Sequence, residues 1–143
     1  MLVYLAYAMS FVLAMMLQYG VFSRWMILSG SPDLVLLLII ALSLHQKNSR
    51  FWILVLIMGG VVGLVSALPF FLPMVVYMAV YLVSLSLKQR VWQTPLLGMF
   101  LLTFGATILA HFLSISVLFI QRIPFNFTEA LVRVMLPSVF LNM

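Results

Sequence analysis

The chain has 143 residues, of which 66% are hydrophobic and 6% charged, with a mean hydropathy of +1.31. A soluble domain carries about a quarter charged residues to hydrate its outside, so this composition argues against a water-borne fold and makes lipid the solvent. Seven Lys and Arg against two acidic residues give a formal charge of +5. The basic residues sit in short gaps between apolar runs, which points to membrane topology rather than nucleic acid. Cysteine is absent, excluding disulfides and thiolate metal sites.

A membrane-crossing helix needs roughly 20 apolar residues, and the runs are taken in order. The first, Met1 to Phe22, lacks a basic leading region and reads as a retained helix rather than a cleaved signal. The second opens at Ser31-Pro32-Asp33, with Ser31 expected as N-cap, Pro32 in first position and Asp33 in the first turn. It continues to about Leu44, short for a crossing, and a span is preferred over a re-entrant segment. The third run is Phe51 to Leu68 and the fourth Pro73 to Leu87. The fifth starts at Thr94-Pro95 and ends near Ile120, and the sixth starts at Asn126-Phe127-Thr128-Glu129, a capping-box pattern.

The expectation is therefore all-α: one transmembrane domain over residues 1–143, six helices in a compact bundle. Lys47 and Arg50 fall in one loop and Lys88 and Arg90 in another, and alternating crossings put both loops on one side. The positive-inside rule then places both termini in the cytoplasm. Trp25, Trp52 and Trp92 each lie beside a charged loop, where interfacial indoles belong.

Candidates for chemistry are few. Asp33 and Glu129 both start helices at the expected outer face, where capping explains each more simply than catalysis. His111, with Ser114 three residues on, reads as a buried histidine bonded to a neighbouring helix. Neither histidine has a second metal ligand one turn away, so neither metal nor cofactor is expected, and no enzyme activity. Arg133 is an intramembrane charge with Glu129 four residues before it, the favourable order for a pair along a helix. Few polar side chains are expected to line any ligand cavity.

Small residues say more. Gly59, Gly63 and Ala67 repeat every four residues on the third helix, and Ala6, Ser10 and Ala14 on the first. Ala106 and Ala110 do so on the fifth. Such stripes let helix backbones approach, against another helix of the chain or a partner protein.

At Pro32-Asp33-Leu34-Val35-Leu36-Leu37-Leu38 the chain resembles the MreD family of bacterial rod-shape-determining proteins. The resemblance continues at Met58 to Ser66 and Tyr77 to Leu82, and closes at Leu136-Pro137-Ser138-Val139-Phe140-Leu141-Asn142. Gly63 stands where the family usually has an aspartate. The resemblance implies a fold similar to the substrate-binding components of energy-coupling-factor vitamin importers. It also implies a non-catalytic scaffold in the inner membrane, serving the elongation machinery for peptidoglycan. MreC is the implied principal partner, with RodA, its class B penicillin-binding protein and MreB in the wider complex. The rival expectation is a substrate-binding component of a vitamin importer, docking through Ala6, Ser10 and Ala14.

Overall fold

The computed structural model describes residues 2–24, 29–45, 50–66, 69–91 and 95–143. It is all-helical: six helices and, among the described residues, no strand. Helix α1 is Leu2–Met16, running on through a π-helical stretch, Leu17–Val21, and a short 3-10 turn, Phe22–Arg24. Then come α2 (Leu34–His45), α3 (Phe51–Val65), α4 (Phe71–Val91) and α5 (Pro95–Ile120). Helix α6 covers 127–142 and is composite: Phe127–Glu129 is α-helical, Ala130–Met135 π-helical and Leu136–Asn142 α-helical.

Three helices are long and apolar enough to cross a membrane, over Val3–Val21, Phe71–Lys88 and Leu97–Ile120. Helix α2 is not one of them. Its 12 residues rise about 18 Å at 1.5 Å each, against a hydrocarbon core of roughly 30 Å. It is instead the axis of the bundle, packed on α1, α3, α4 and α5. Val35, Leu36 and Ile39 have no exposed surface, because the face that also carries Ile40, Ser43 and Leu44 lies against the neighbouring helices. Leu34, Leu37, Leu38, Ala41 and Leu42, on the other face, are half-buried, so the uniformly apolar run serves the core on one side and a partly open surface on the other. Helix α1 shows the opposite arrangement: Leu5, Met9 and Met16 are each more than 60% exposed, as suits a helix whose outer face meets acyl chains.

Phe51 ties three helices together. Its ring packs edge-on to Tyr7 of α1, with centroids 5.7 Å apart, and against Tyr81 of α4 at 5.8 Å. Helices α3 and α4 make the closest antiparallel pair, and the glycine stripe makes it close. A Cβ added at Gly59 would lie 2.7 Å from the Met74 Cα, and one at Gly63 would strike the Phe70 carbonyl. The third-helix stripe thus packs inside the chain. Ala67 lies outside the described residues. On α1 only Ala14 reaches the core; Ala6 is exposed, and the Ser10 hydroxyl donates back to the Ala6 carbonyl at 2.9 Å. Ala106 is buried against the core.

The end of α5 is a Schellman turn. The Ile123 N–H reaches the Leu118 carbonyl and the Arg122 N–H the Phe119 carbonyl, both at 3.1 Å. Arg122 occupies the left-handed position with φ 56°, where a side chain costs roughly 1–2 kcal/mol relative to glycine. Asn126 caps α6 as expected, its Oδ1 accepting from the Thr128 N–H at 3.1 Å and, more distantly, the Glu129 N–H. The Glu129 carboxylate turns to Arg133, 3.8 Å away, and both side chains are well exposed. An exposed pair at that distance stabilises the helix by only about 0.3–0.5 kcal/mol in water.

The start of α2 differs from expectation. Asp33, not Ser31, is the N-cap: its Oδ1 accepts the Leu36 N–H at 2.9 Å. Ser31 lies in an extended strap, 29–33, laid along α6. Alternate backbone N–H groups of the strap donate to α6: Ser29 to the Arg133 carbonyl (2.9 Å), Ser31 to Ser138 Oγ (3.3 Å), Asp33 to Asn142 Oδ1 (2.8 Å). The two periodicities match. Four residues of extended chain cover about 13 Å, and the nine helical steps from 133 to 142 cover about 13.5 Å. Gly30 sits between the first two bonds, where an added Cβ would be 2.7 Å from both the Pro137 Cβ and the Ser138 nitrogen. The strap can touch α6 because that position has no side chain.

Candidate functional site

The strap ends at a polar cavity of about 260 Å³ among α2, α4, α5 and α6 and the π-stretch after α1. Gln18, Tyr19, Asp33, Tyr77, His111 and Ser114 are among its walls, with Leu36, Val62 and Val76 between them. The site is built from side chains that interrupt otherwise apolar runs.

Asp33 is its centre. Besides capping α2, its carboxylate accepts the Tyr77 hydroxyl, which lies 3.1 Å from each oxygen. Tyr77 is 2% exposed, held in α4 one turn beyond Pro73. Asn142 links the strap to α5: its Oδ1 takes the Asp33 N–H, and its amide nitrogen donates to Thr107 Oγ1 at 3.0 Å. The Thr107 hydroxyl in turn donates to the Thr103 carbonyl at 2.9 Å. The direction of every bond is fixed, because a backbone N–H starts the chain and a carbonyl ends it. Gln18 closes the far side, its Oε1 accepting the Val35 N–H at 3.2 Å, so two of the free donors at the start of α2 have side-chain partners. The π-stretch at Leu17–Val21 carries Gln18 and Tyr19 into the wall, and the one at Ala130–Met135 precedes Ser138 and Asn142. Wide turns of this kind are frequent at functional sites.

His111 is bonded within its own helix rather than to a neighbour. Its Nδ1 lies 2.8 Å from the Thr107 carbonyl. A carbonyl only accepts, so Nδ1 carries the proton and the neutral ring keeps Nε2 as an acceptor. Ser114 similarly donates to the Ala110 carbonyl at 2.8 Å. Among the described residues no buried side-chain nitrogen or oxygen lacks a partner, and no three His, Cys, Asp or Glu gather where a metal could bind.

Of the residues singled out from sequence, Asp33, His111 and Ser114 come together here. Glu129 and Arg133 form their own exposed pair, Gly59 and Gly63 of α3 pack against the start of α4, and of the α1 stripe Ala14 alone is buried. Gln18, Tyr77, Thr107, Ser138 and Asn142 were missed, and with them the cavity. The expectation that few polar side chains line a pocket is corrected: folding gathers polar residues from several helices and the strap at one place, and they make up most of the residues in its wall. The available signal was a polar residue inside an apolar run, at Gln18, Thr107 and Asn142.

The fold is that of an all-helical chain with three helices long and apolar enough to cross a membrane, and its described residues hold an internal polar cluster. No family model, curated protein or solved structure matches the chain.

Proposed function

We propose that the chain is a non-catalytic scaffold of the peptidoglycan-elongation machinery, similar to the MreD family, which maintains cell shape by binding MreC and linking it to RodA, its class B penicillin-binding protein and MreB. One observation carries the reading. The two most polar segments of the resemblance, Pro32-Asp33 and Pro137-Ser138 with Asn142, are hydrogen-bonded to each other through the strap. Residues far apart in sequence that belong to one pattern serve one structural lock. Asp33, Tyr77, Asn142 and Thr107 are also hydrogen-bonded within the chain, as a rigid platform requires. Expressed in a rod-shaped bacterium depleted of its own MreD, the protein should restore elongation and carry MreC through purification in mild detergent. Round cells and no MreC at normal protein abundance would remove this reading.

On this reading the protein lies in the bacterial inner membrane with six crossings and both termini cytoplasmic. Helices α2 and α3 cross as part of the bundle, in locally thinned bilayer. A single cysteine at Gln121 should then react with an impermeant thiol reagent in intact cells, and one at Gln89 should not. The reverse pattern inverts the topology; labelling of both or neither contradicts the crossing number.

A second reading, the substrate-binding component of an energy-coupling-factor vitamin importer, is favoured by the cavity itself. Its signature would be co-purification of a coupling subunit with paired ATPases in place of MreC.

A further inference from the structure

The cavity at the end of the strap has a chemical character that the scaffold reading leaves unused. Among the described residues its wall includes one carboxylate, Asp33, and no lysine or arginine. The charge on Asp33 is met by the Leu36 N–H and the Tyr77 hydroxyl, both neutral donors. The histidine opposite, committed through Nδ1 to the Thr107 carbonyl, contributes an acceptor in its neutral form. Arg133, which shares α6 with the cavity's Ser138 and Asn142, faces outward to Glu129. The wall therefore presents one acidic group met by neutral donors and, among the described residues, no permanently charged cation. A charge in low dielectric without a counter-ion is expensive, and an occupant of opposite sign recovers much of that cost.

We propose that this cavity binds a small organic cation bearing a primary ammonium group, which would form its ion pair with Asp33. Three observations select that class. An ammonium brings three donors and no acceptor, the complement of a wall offering a carboxylate and a histidine nitrogen. A bare metal ion is disfavoured, since among the described residues no trio of His, Cys, Asp or Glu is gathered. At about 260 Å³ the space is far larger than an ion yet just below the roughly 300 Å³ at which pockets for drug-sized molecules begin. Leu36, Val62 and Val76 supply an apolar wall for the ligand's carbon body. The inference stands apart from the scaffold reading, because it concerns the cavity's chemistry and not the partner outside.

The full chain, purified in a mild non-amine detergent, is dialysed at neutral pH against radiolabelled benzylamine, benzyl alcohol or benzoate, probes of one shape and three charges. Benzylamine should bind saturably, one per chain, and about tenfold or more tighter than benzyl alcohol, the difference a charge-assisted hydrogen bond makes. Benzoate should not bind. Asp33→Asn should abolish the preference for the amine over the alcohol, and it keeps the cap because asparagine caps as well as aspartate does. Ser114→Leu, which fills the space from α5 without touching the carboxylate, should remove binding of both. Equal affinity for amine and alcohol, an undiminished preference in Asp33→Asn, or no saturable binding to the wild type would each overturn the proposal. If Asp33→Asn does not fold, the wild-type probe series and Ser114→Leu decide alone. Reconstitution with phosphatidylethanolamine or with phosphatidylglycerol then separates two sources of the same group. Competition by the former identifies a lipid headgroup, and its absence a free amine.

Discussion

Gly63→Leu should eliminate most of the folded protein and, on the proposed scaffold role, MreC association with it, whereas Gly105→Leu should leave abundance and shape on a gel-filtration column unchanged. Both positions are glycines within apolar helices, so propensity does not distinguish them. Their surroundings do. A Cβ at Gly105 meets nothing within 4 Å, while one at Gly63 strikes the backbone carbonyl of Phe70. Backbone cannot rotate away as a side-chain tip can, so α4 would have to move bodily from α3. Gly59 and Met74 sit four residues away in the same seam, with an added Cβ 2.7 Å from the Met74 Cα, so the displacement would propagate through the pair. Overpacking of a rigid contact costs about 1–3 kcal/mol and occasionally more, and here the obstacle is backbone at the entry to α4. In lipid no gain from burying apolar surface compensates, since acyl chains solvate leucine equally well and close packing is a main source of attraction. Gly60→Leu provides an intermediate: its nearest neighbour would be the tip of the Phe70 ring at 3.6 Å, which can swing. The expected order of detergent-stable yield is Gly105→Leu, then Gly60→Leu, then Gly63→Leu. Normal yield of Gly63→Leu with MreC alone lost would move the stripe from the inside of the bundle to a docking surface.

The stripe was legible in sequence because small residues four apart are a pattern with one mechanical consequence. Helix positions were legible too, because apolar runs bounded by polar or proline-containing breaks mark helices whatever surrounds them. The role of α2 was less so. A run of leucine and isoleucine looks alike whether acyl chains or other helices surround it, and only its shortness hinted that it is the core. The candidate site was nearly invisible. Asp33 stood out as one of two acidic residues, and capping accounted for it. Tyr77, Thr107 and Asn142 lie 44, 74 and 109 positions further along the chain. Each is a polar residue that a helix interior tolerates without needing a function, and only tertiary packing brings them to one carboxylate. The two π-stretches, which set the faces of Gln18 and Asn142, have no marker in composition at all.

Asn142→Leu should lower the protein's melting temperature in detergent more than Thr107→Ala, with Phe140→Leu as a silent comparison. Asn142 is 5% exposed and uses both ends of its amide, accepting the Asp33 N–H at 2.8 Å and donating to Thr107 Oγ1 at 3.0 Å. Leucine matches the branched four-atom outline of the amide, though with more bulk, so the loss is chiefly of hydrogen bonds. Removing Oδ1 strands a backbone donor where the strap leaves α6, and an unsatisfied buried donor costs about 1–3 kcal/mol. Removing the amide nitrogen forfeits one interhelical bond, worth on average about 0.6 kcal/mol in a membrane protein. Together the change is on the order of 2–3 kcal/mol. Thr107→Ala loses the interhelical bond but leaves Asp33 N–H paired, and the Thr103 carbonyl remains in its helix, so it should cost a smaller amount. Phe140 is 77% exposed and shares the same helix turn without touching the lock. The strap's other fastenings, Ser29 to the Arg133 carbonyl and Ser31 to Ser138, limit the damage to loosening its end nearest the cavity. Asn142→Leu should therefore raise amide exchange at Asp33 while Ser29 remains protected. Equal melting temperatures for Asn142→Leu and Phe140→Leu would mean that the strap is held by its glycine contact with Pro137 and Ser138 alone, and the hydrogen-bonded lock would lose its place in the argument.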